Sequence, residues 1–129
     1  MDKEFIPYEQ AVDLESIGFD VRPNFGGSTS LYTKNGNHTF YTNYGVMGSG
    51  LYDGYIYAPT FSQAFRWFRE KYNLKPQMTT SWGEWDFYIP ESEYNDIPIR
   101  ESSDSWNYDD AELACLKKLI EIVKNKDNE

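Results

Sequence analysis

The stretch APTFSQAFRWFREKYNLKP, residues 58–76, reads as one complete helix with both ends marked, and its composition decides the fold class. Thr60 is a good N-cap, and Gln63 stands three residues later, the spacing at which two side chains satisfy the free backbone donors of a helix start. At about 100° per residue, Phe61, Ala64, Phe65, Phe68 and Tyr72 fall within an arc of roughly 100°. Gln63, Arg66 and Glu70 point away from that arc, and Trp67 and Lys71 lie on its flank. Asn73 accepts the left-handed conformation that closes helices, Leu74 can pack back on Phe68, and Pro76 prevents continuation. Four large rings on one narrow face need a wide apolar sheet beneath them.

Strand signals lie on both sides. Upstream, STSLYT and HTFYTN flank KNGN, where Asn35-Gly36 fits a two-residue turn with positive φ at both positions. That register places Leu31 opposite Phe40, and leaves His38 beside the turn. LYDGYIYA, residues 51–58, suggests a third strand with a bulge at Asp53-Gly54. The glycine-rich GVMGSG, residues 45–50, lacks the Lys-Ser/Thr of a phosphate loop and reads as a flexible connection. Residues 20–27 read as a loop. Downstream, residues 77–89 read as one or two strands interrupted near Gly83, with Trp85, Phe87 and Ile89 alternating against Glu84, Asp86 and Tyr88.

Two further helices bracket the chain. Residues 7–17 start on Pro7 and place Tyr8, Ala11, Val12 and Leu14 on one side and Glu9, Gln10, Asp13 and Glu15 on the other. Gly18 sits where a closing residue belongs, with Phe19 able to return to Leu14. Residues 108–124, capped by Asn107 or Ser105, carry an apolar arc of nearly 200°: Tyr108, Ala111, Leu113, Cys115, Leu116, Leu119, Ile120, Ile122 and Val123. Such a helix needs two covering layers or a second copy of the chain. Residues 91–105 read as an acidic loop, and 125–129 as a frayed tail. The expectation is therefore one α+β domain over 1–129, with a mostly antiparallel sheet of four to five strands in the order α-β-β-β-α-β-β-α.

Aromatic residues make up 18% of the 129-residue chain, enough for a core without disulfides or metals. The single cysteine excludes an intramolecular disulfide. No apolar run of signal-peptide or membrane-spanning length is present, so a cytoplasmic, non-membrane protein is expected. Net charge is −9, and it is unevenly placed. Between Glu84 and Glu112, ten acidic residues face only Arg100, which argues against direct nucleic-acid binding.

Few residues suggest chemistry. Cys115 lies on an apolar helix face and reads as structural, not as a nucleophile needing an electropositive pocket. One histidine and one cysteine cannot assemble a usual zinc site. No cofactor is implied. Glu84 and Asp86 share a strand face and, with Trp82, Trp85, Tyr88 and Tyr94 nearby, suggest a sugar-binding cleft or hydrolase in one reading and a solvated acidic stripe in another. Arg66, Trp67, Arg69 and Lys71 form a basic rim on the central helix. Trp and Arg dominate interface energetics, so the rim is a candidate partner-binding surface; alternatively its arginines pair with the acidic segment and Trp67 extends the core.

The blocks PYEQAVDLESIGFD, APTFSQAFRWFREKYNL and YDDAELACLKKLIEIV resemble a group of small uncharacterised proteins encoded by phages, prophages and mobile elements of gut-dwelling anaerobic bacteria. The resemblance covers about a third of the chain. It implies a cytoplasmic accessory protein and carries over no functional residue. Three functions stand open: a non-enzymatic binding or regulatory module acting on another protein, an acidic nucleic-acid mimic built from the Glu84–Glu112 carboxylates, and a hydrolase or sugar-binding protein using Glu84 and Asp86. Self-association through the 108–124 helix is a further expectation.

Overall fold

Helix signals and strand signals both resolve into elements, but the strands divide differently from the expectation. The computed structural model describes residues 5–19, 28–32, 38–42, 56–57, 59–81, 83–103 and 105–127. The helices are α1 (Tyr8–Ser16), α2 (Phe61–Tyr72) and α3 (Tyr108–Asp127). The strands are β1 (Ser28–Tyr32), β2 (His38–Thr42), β3 (Ile56–Tyr57), β4 (Gln77–Ser81), β5 (Glu84–Ile89) and β6 (Ile99–Ser102). The class is α+β, as expected. The chain forms two compact units, Met1–Thr60 and Phe61–Glu129. Each holds a three-stranded antiparallel sheet, ordered β2-β1-β3 in the first and β4-β5-β6 in the second. The single sheet of four to five strands is thereby corrected.

In the first unit, Phe5 bridges Thr60 and the Ile6 N–H donates to the Pro59 carbonyl at 2.9 Å. Pro7 stands just outside α1 and not at its first helical position, with φ −58° and ψ 152°. Its carbonyl accepts the first helical bond, from the Ala11 N–H at 2.9 Å. The helix closes as its sequence indicates. Gly18 takes φ 95°, its N–H donates to the Glu15 carbonyl, and the Phe19 N–H reaches the Leu14 carbonyl at 3.0 Å. The inner face differs from the expectation: Gln10 is buried with Ala11 and Leu14, and Val12 is 37% exposed. Gln10, Ala11 and Leu14 span about 100° of the helix, and Val12 lies about 150° from the middle of that arc.

The hairpin register also differs. Tyr32 pairs with His38, Leu31 with Thr39 and Ser30 with Phe40. Five residues separate Tyr32 from His38, an odd number, whereas a two-residue Asn35-Gly36 turn requires an even one. Strand β1 pairs with β3 on its other edge, Leu31 to Tyr57 and Tyr32 to Ile56. A central strand answers to both neighbours, so the turn alone does not set its register. The 20–27 loop, the Asn35-Gly36 turn, the 45–50 connection and the Asp53-Gly54 bulge lie outside the described residues.

In the second unit, α2 ends on Asn73 at φ 55°. The Asn73 N–H donates to the Arg69 carbonyl and the Leu74 N–H to the Phe68 carbonyl, both at 3.2 Å. Leu74 and Phe68 are fully buried. Strands β4 and β5 meet in a two-residue connection between paired Ser81 and Glu84. Gly83 in that connection takes φ 82°, a conformation L side chains adopt only at a cost of about 1–2 kcal/mol. Strand β6 forms inside the stretch expected to be an irregular acidic loop, pairing Ile99 with Ile89 and Glu101 with Phe87. That expectation is corrected.

Sheet β4-β5-β6 turns one face inward. Phe87 and Ile89 on that face are fully buried, and β5 packs on α3. Phe87 stacks on Trp106 at 6.1 Å, and Trp85 meets Tyr108 edge to face at 4.9 Å. Helix α3 begins in a reciprocal cap: the Asp110 N–H donates to Asn107 Oδ1 at 2.9 Å, and the Asn107 N–H to Asp110 Oδ2 at 3.3 Å. It continues helically to Asp127, so residues 125–127 are not the frayed tail expected. Of its apolar arc, Ala111, Cys115, Leu116, Leu119, Ile120, Ile122 and Val123 are buried within this one chain. Packing on β5 and on α2 supplies the two layers that the arc demands.

Candidate protein-interaction surface

Helix α2 supplies the first set of candidate residues. Its buried positions are Phe61, Ala64, Trp67, Phe68 and Tyr72, and Phe65 is only half-buried. The buried arc is therefore turned by about 40° from the expected one, bringing Trp67 inward. Trp67 is 6% exposed and belongs to the core, not to an exposed rim. Its ring meets Phe68 at 5.1 Å and Tyr72 at 5.3 Å, both edge to face, and Tyr72 meets Tyr94 at 5.3 Å. Lys71 Nζ stands 5.2 Å over the Trp67 ring and 5.6 Å over that of Tyr72. Lys71 thus seals the aromatic cluster at its solvent side.

The turn of the helix that buries Trp67 leaves Ser62, Arg66, Arg69 and Asn73 on one outer stripe about 60° wide, and all four are exposed. Arg66 Nε donates to Glu70 Oε1 at 2.8 Å, a pair within the helix whose side chains are 72% and 65% exposed. Arg69 has no carboxylate partner among the described residues. The described ion pairs of the acidic segment go elsewhere: Asp86 to Arg100 at 3.4 Å and Glu101 to Lys118 at 3.0 Å.

Glu84 and Asp86 lie together on the outer face of β5, as their spacing indicates. Glu84 is exposed. Asp86 has both oxygens engaged: Thr79 Oγ1 donates to Oδ1, and Arg100 Nη1 to Oδ2. Arg100 also lies 5.0 Å over the Tyr88 ring. Register explains the grouping, since Gln77, Tyr88 and Arg100 form one cross-strand row and Thr79, Asp86 and Ser102 the next. Among the sequence candidates Tyr88 figures only as a nearby ring, and Thr79 and Arg100 do not figure, because their meeting with Asp86 depends on the β4–β5 and β5–β6 registers. Asp86 and Glu101 occupy opposite faces of the sheet, and each already holds a cation. Asp110 and Glu112 are engaged at the start of α3, Asp110 in the cap and Glu112 Oε2 by the Tyr108 hydroxyl at 3.1 Å. Asp104 and Trp82 lie outside the described residues.

Cys115 is fully buried, and burial, then the Glu112 and Glu101 carboxylates, pushes its thiol up to about 12. A thiol held protonated in an apolar, acidic setting is not a nucleophile at neutral pH. Burial raises the Glu112 carboxyl above its ordinary value, against the pull of the Tyr108 hydrogen bond. Among the described residues, no group of three or more His, Cys, Asp or Glu is placed to hold a metal ion, and no helix is long and apolar enough to cross a membrane. Compared with known protein families, curated proteins and solved structures, the chain matches none.

Proposed function

We propose that the protein is a non-enzymatic binding or regulatory module that recognises another protein through the outer stripe of α2. The observation that carries this reading is the pair Arg66 and Arg69. Both are exposed, they stand one helical turn apart, and the acidic segment sends its described ion pairs to Arg100 and Lys118 instead. Arginine on an exposed, well-anchored helix is well suited to interface contacts. The rings behind it, Trp67, Phe68 and Tyr72, hold the helix rigid and lower the entropy lost on docking.

That the module is a cytoplasmic accessory protein of a mobile element is part of the proposal and rests only on the resemblance of the three helical blocks. The engagement of Asp86 by Thr79 and Arg100 speaks against its use as a catalytic carboxylate. The division of acidic residues between two sheet faces speaks against a continuous phosphate-like band. With most of its apolar arc buried within the chain, α3 leaves little surface for a second copy.

The test is affinity capture from cells expressing the tagged full chain at native level, beside the double variant Arg66→Ala/Arg69→Ala. A specific partner, depleted in the variant while far-UV circular dichroism is unchanged, is expected. Equal recovery from both chains refutes the assignment to this stripe.

A further inference from the structure

Resting on that reading, we infer that the α2 stripe recognises a short acidic segment of a partner protein, carrying two neighbouring carboxylates. Residues three apart on a helix hold their Cβ atoms about 5–6 Å apart, so Arg66 and Arg69 present two guanidinium groups side by side on one face. Glu70 takes only the Nε of Arg66, leaving its terminal nitrogens without a carboxylate among the described residues. Arg69 is unpaired among them altogether. Planar guanidinium ends match carboxylates two bonds at a time, which a point charge does not do. The neighbours Ser62 and Asn73 on the same stripe are small and uncharged, and the acidic side chain beside it, Glu70, is held on the Nε of Arg66. Lys71 and Lys75, both exposed, extend the positive field toward the end of the helix.

Charge complementarity also separates an acidic protein segment from a nucleic acid. The chain carries −9 overall, and that field opposes a long polyanion far more than a segment bearing two charges. Nucleic-acid binding draws its affinity from many phosphates at once, and two arginines on one turn do not make such a footprint. A segment with two carboxylates needs only those two.

The experiment selects peptides from a random library displayed on yeast, with the intact chain as bait. Selected peptides are expected to carry paired Asp or Glu, adjacent in helical or strand spacing. Arg66→Ala and Arg69→Ala should each weaken them at least about tenfold. Arg66→Lys and Arg69→Lys should fall well short of full rescue, because lysine lacks the paired donors. Circular dichroism confirms that each exposed substitution leaves the fold unchanged. Peptides that bind the stripe without acidic residues overturn this inference while the binding function stands. Peptides indifferent to both arginines overturn the stripe itself. Tighter binding of a labelled single- or double-stranded oligonucleotide than of any acidic peptide also overturns the inference.

Discussion

Replacing Trp67 with alanine separates a core role from a surface one. The indole is 6% exposed and contacts two rings edge to face, with Lys71 above it. Removing a buried tryptophan side chain costs about 3–5 kcal/mol, transfer and cavity together. The edge-to-face contacts, at about 0.5–1.5 kcal/mol each, are already within that figure. Domains of this size have a total stability of about 5–15 kcal/mol, so the loss is a large fraction of the whole. At a urea slope of about 2 kcal/mol per M, a loss of about 4 kcal/mol lowers the midpoint by about 2 M. Far-UV circular dichroism is the suitable probe, because the substitution removes one of the reporting tryptophans. Trp67→Phe keeps a ring against Phe68 and Tyr72 and should cost about 1–2 kcal/mol. A loss below about 1 kcal/mol for Trp67→Ala would refute the core assignment, and with it the rotation of the buried arc that defines the arginine stripe.

Two more outcomes follow from local geometry. Asn107→Ala removes the acceptor for the Asp110 N–H and should lower stability by about 1 kcal/mol, readable as a smaller midpoint shift in the same urea titration. Cys115 should resist alkylation by iodoacetamide in the native chain at pH 8 and react promptly in urea. Because its folded thiol is raised from 9.0 to about 12, the unfolded chain ionises first as pH rises. Its contribution is fully present below pH 9 and is lost progressively between about 9 and 12. Cys115→Ala should flatten that alkaline decline, and an unchanged decline would assign it to other groups.

Features fixed within a few residues were legible in advance. Gly18 and Asn73 close their helices with positive φ, Asn107 caps α3, and Gly83 interrupts the strand stretch as its neighbours imply. Each depends on the backbone needs of one turn. Features fixed by distant neighbours were not legible. The aromatic residues of α2 define a broad apolar face but not its middle, which depends on what the helix rests against. Strand β6 escaped notice because Glu101 occupies an inward position where an apolar residue would have marked the alternation. Its partner Lys118 comes from α3, distant in sequence and invisible to any local pattern. The candidate surface was half legible: Arg66, Arg69 and Lys71 are exposed as expected, whereas Trp67 lies on the other side of the helix boundary.

Glu101 has a consequence for how this protein behaves when crowded. Among the described residues, β6 is an edge of its sheet, and an edge offers unpaired backbone groups to any passing strand. A register slip of one residue would bring Arg100 or Ser102 against Lys118 in place of Glu101, exchanging attraction for repulsion or for nothing. A foreign strand displacing β6 would leave Lys118 with Glu121 alone, 3.2 Å away on its own helix. The ion pair, modest as a source of stability, thus favours this strand in this register over a slipped or substituted one.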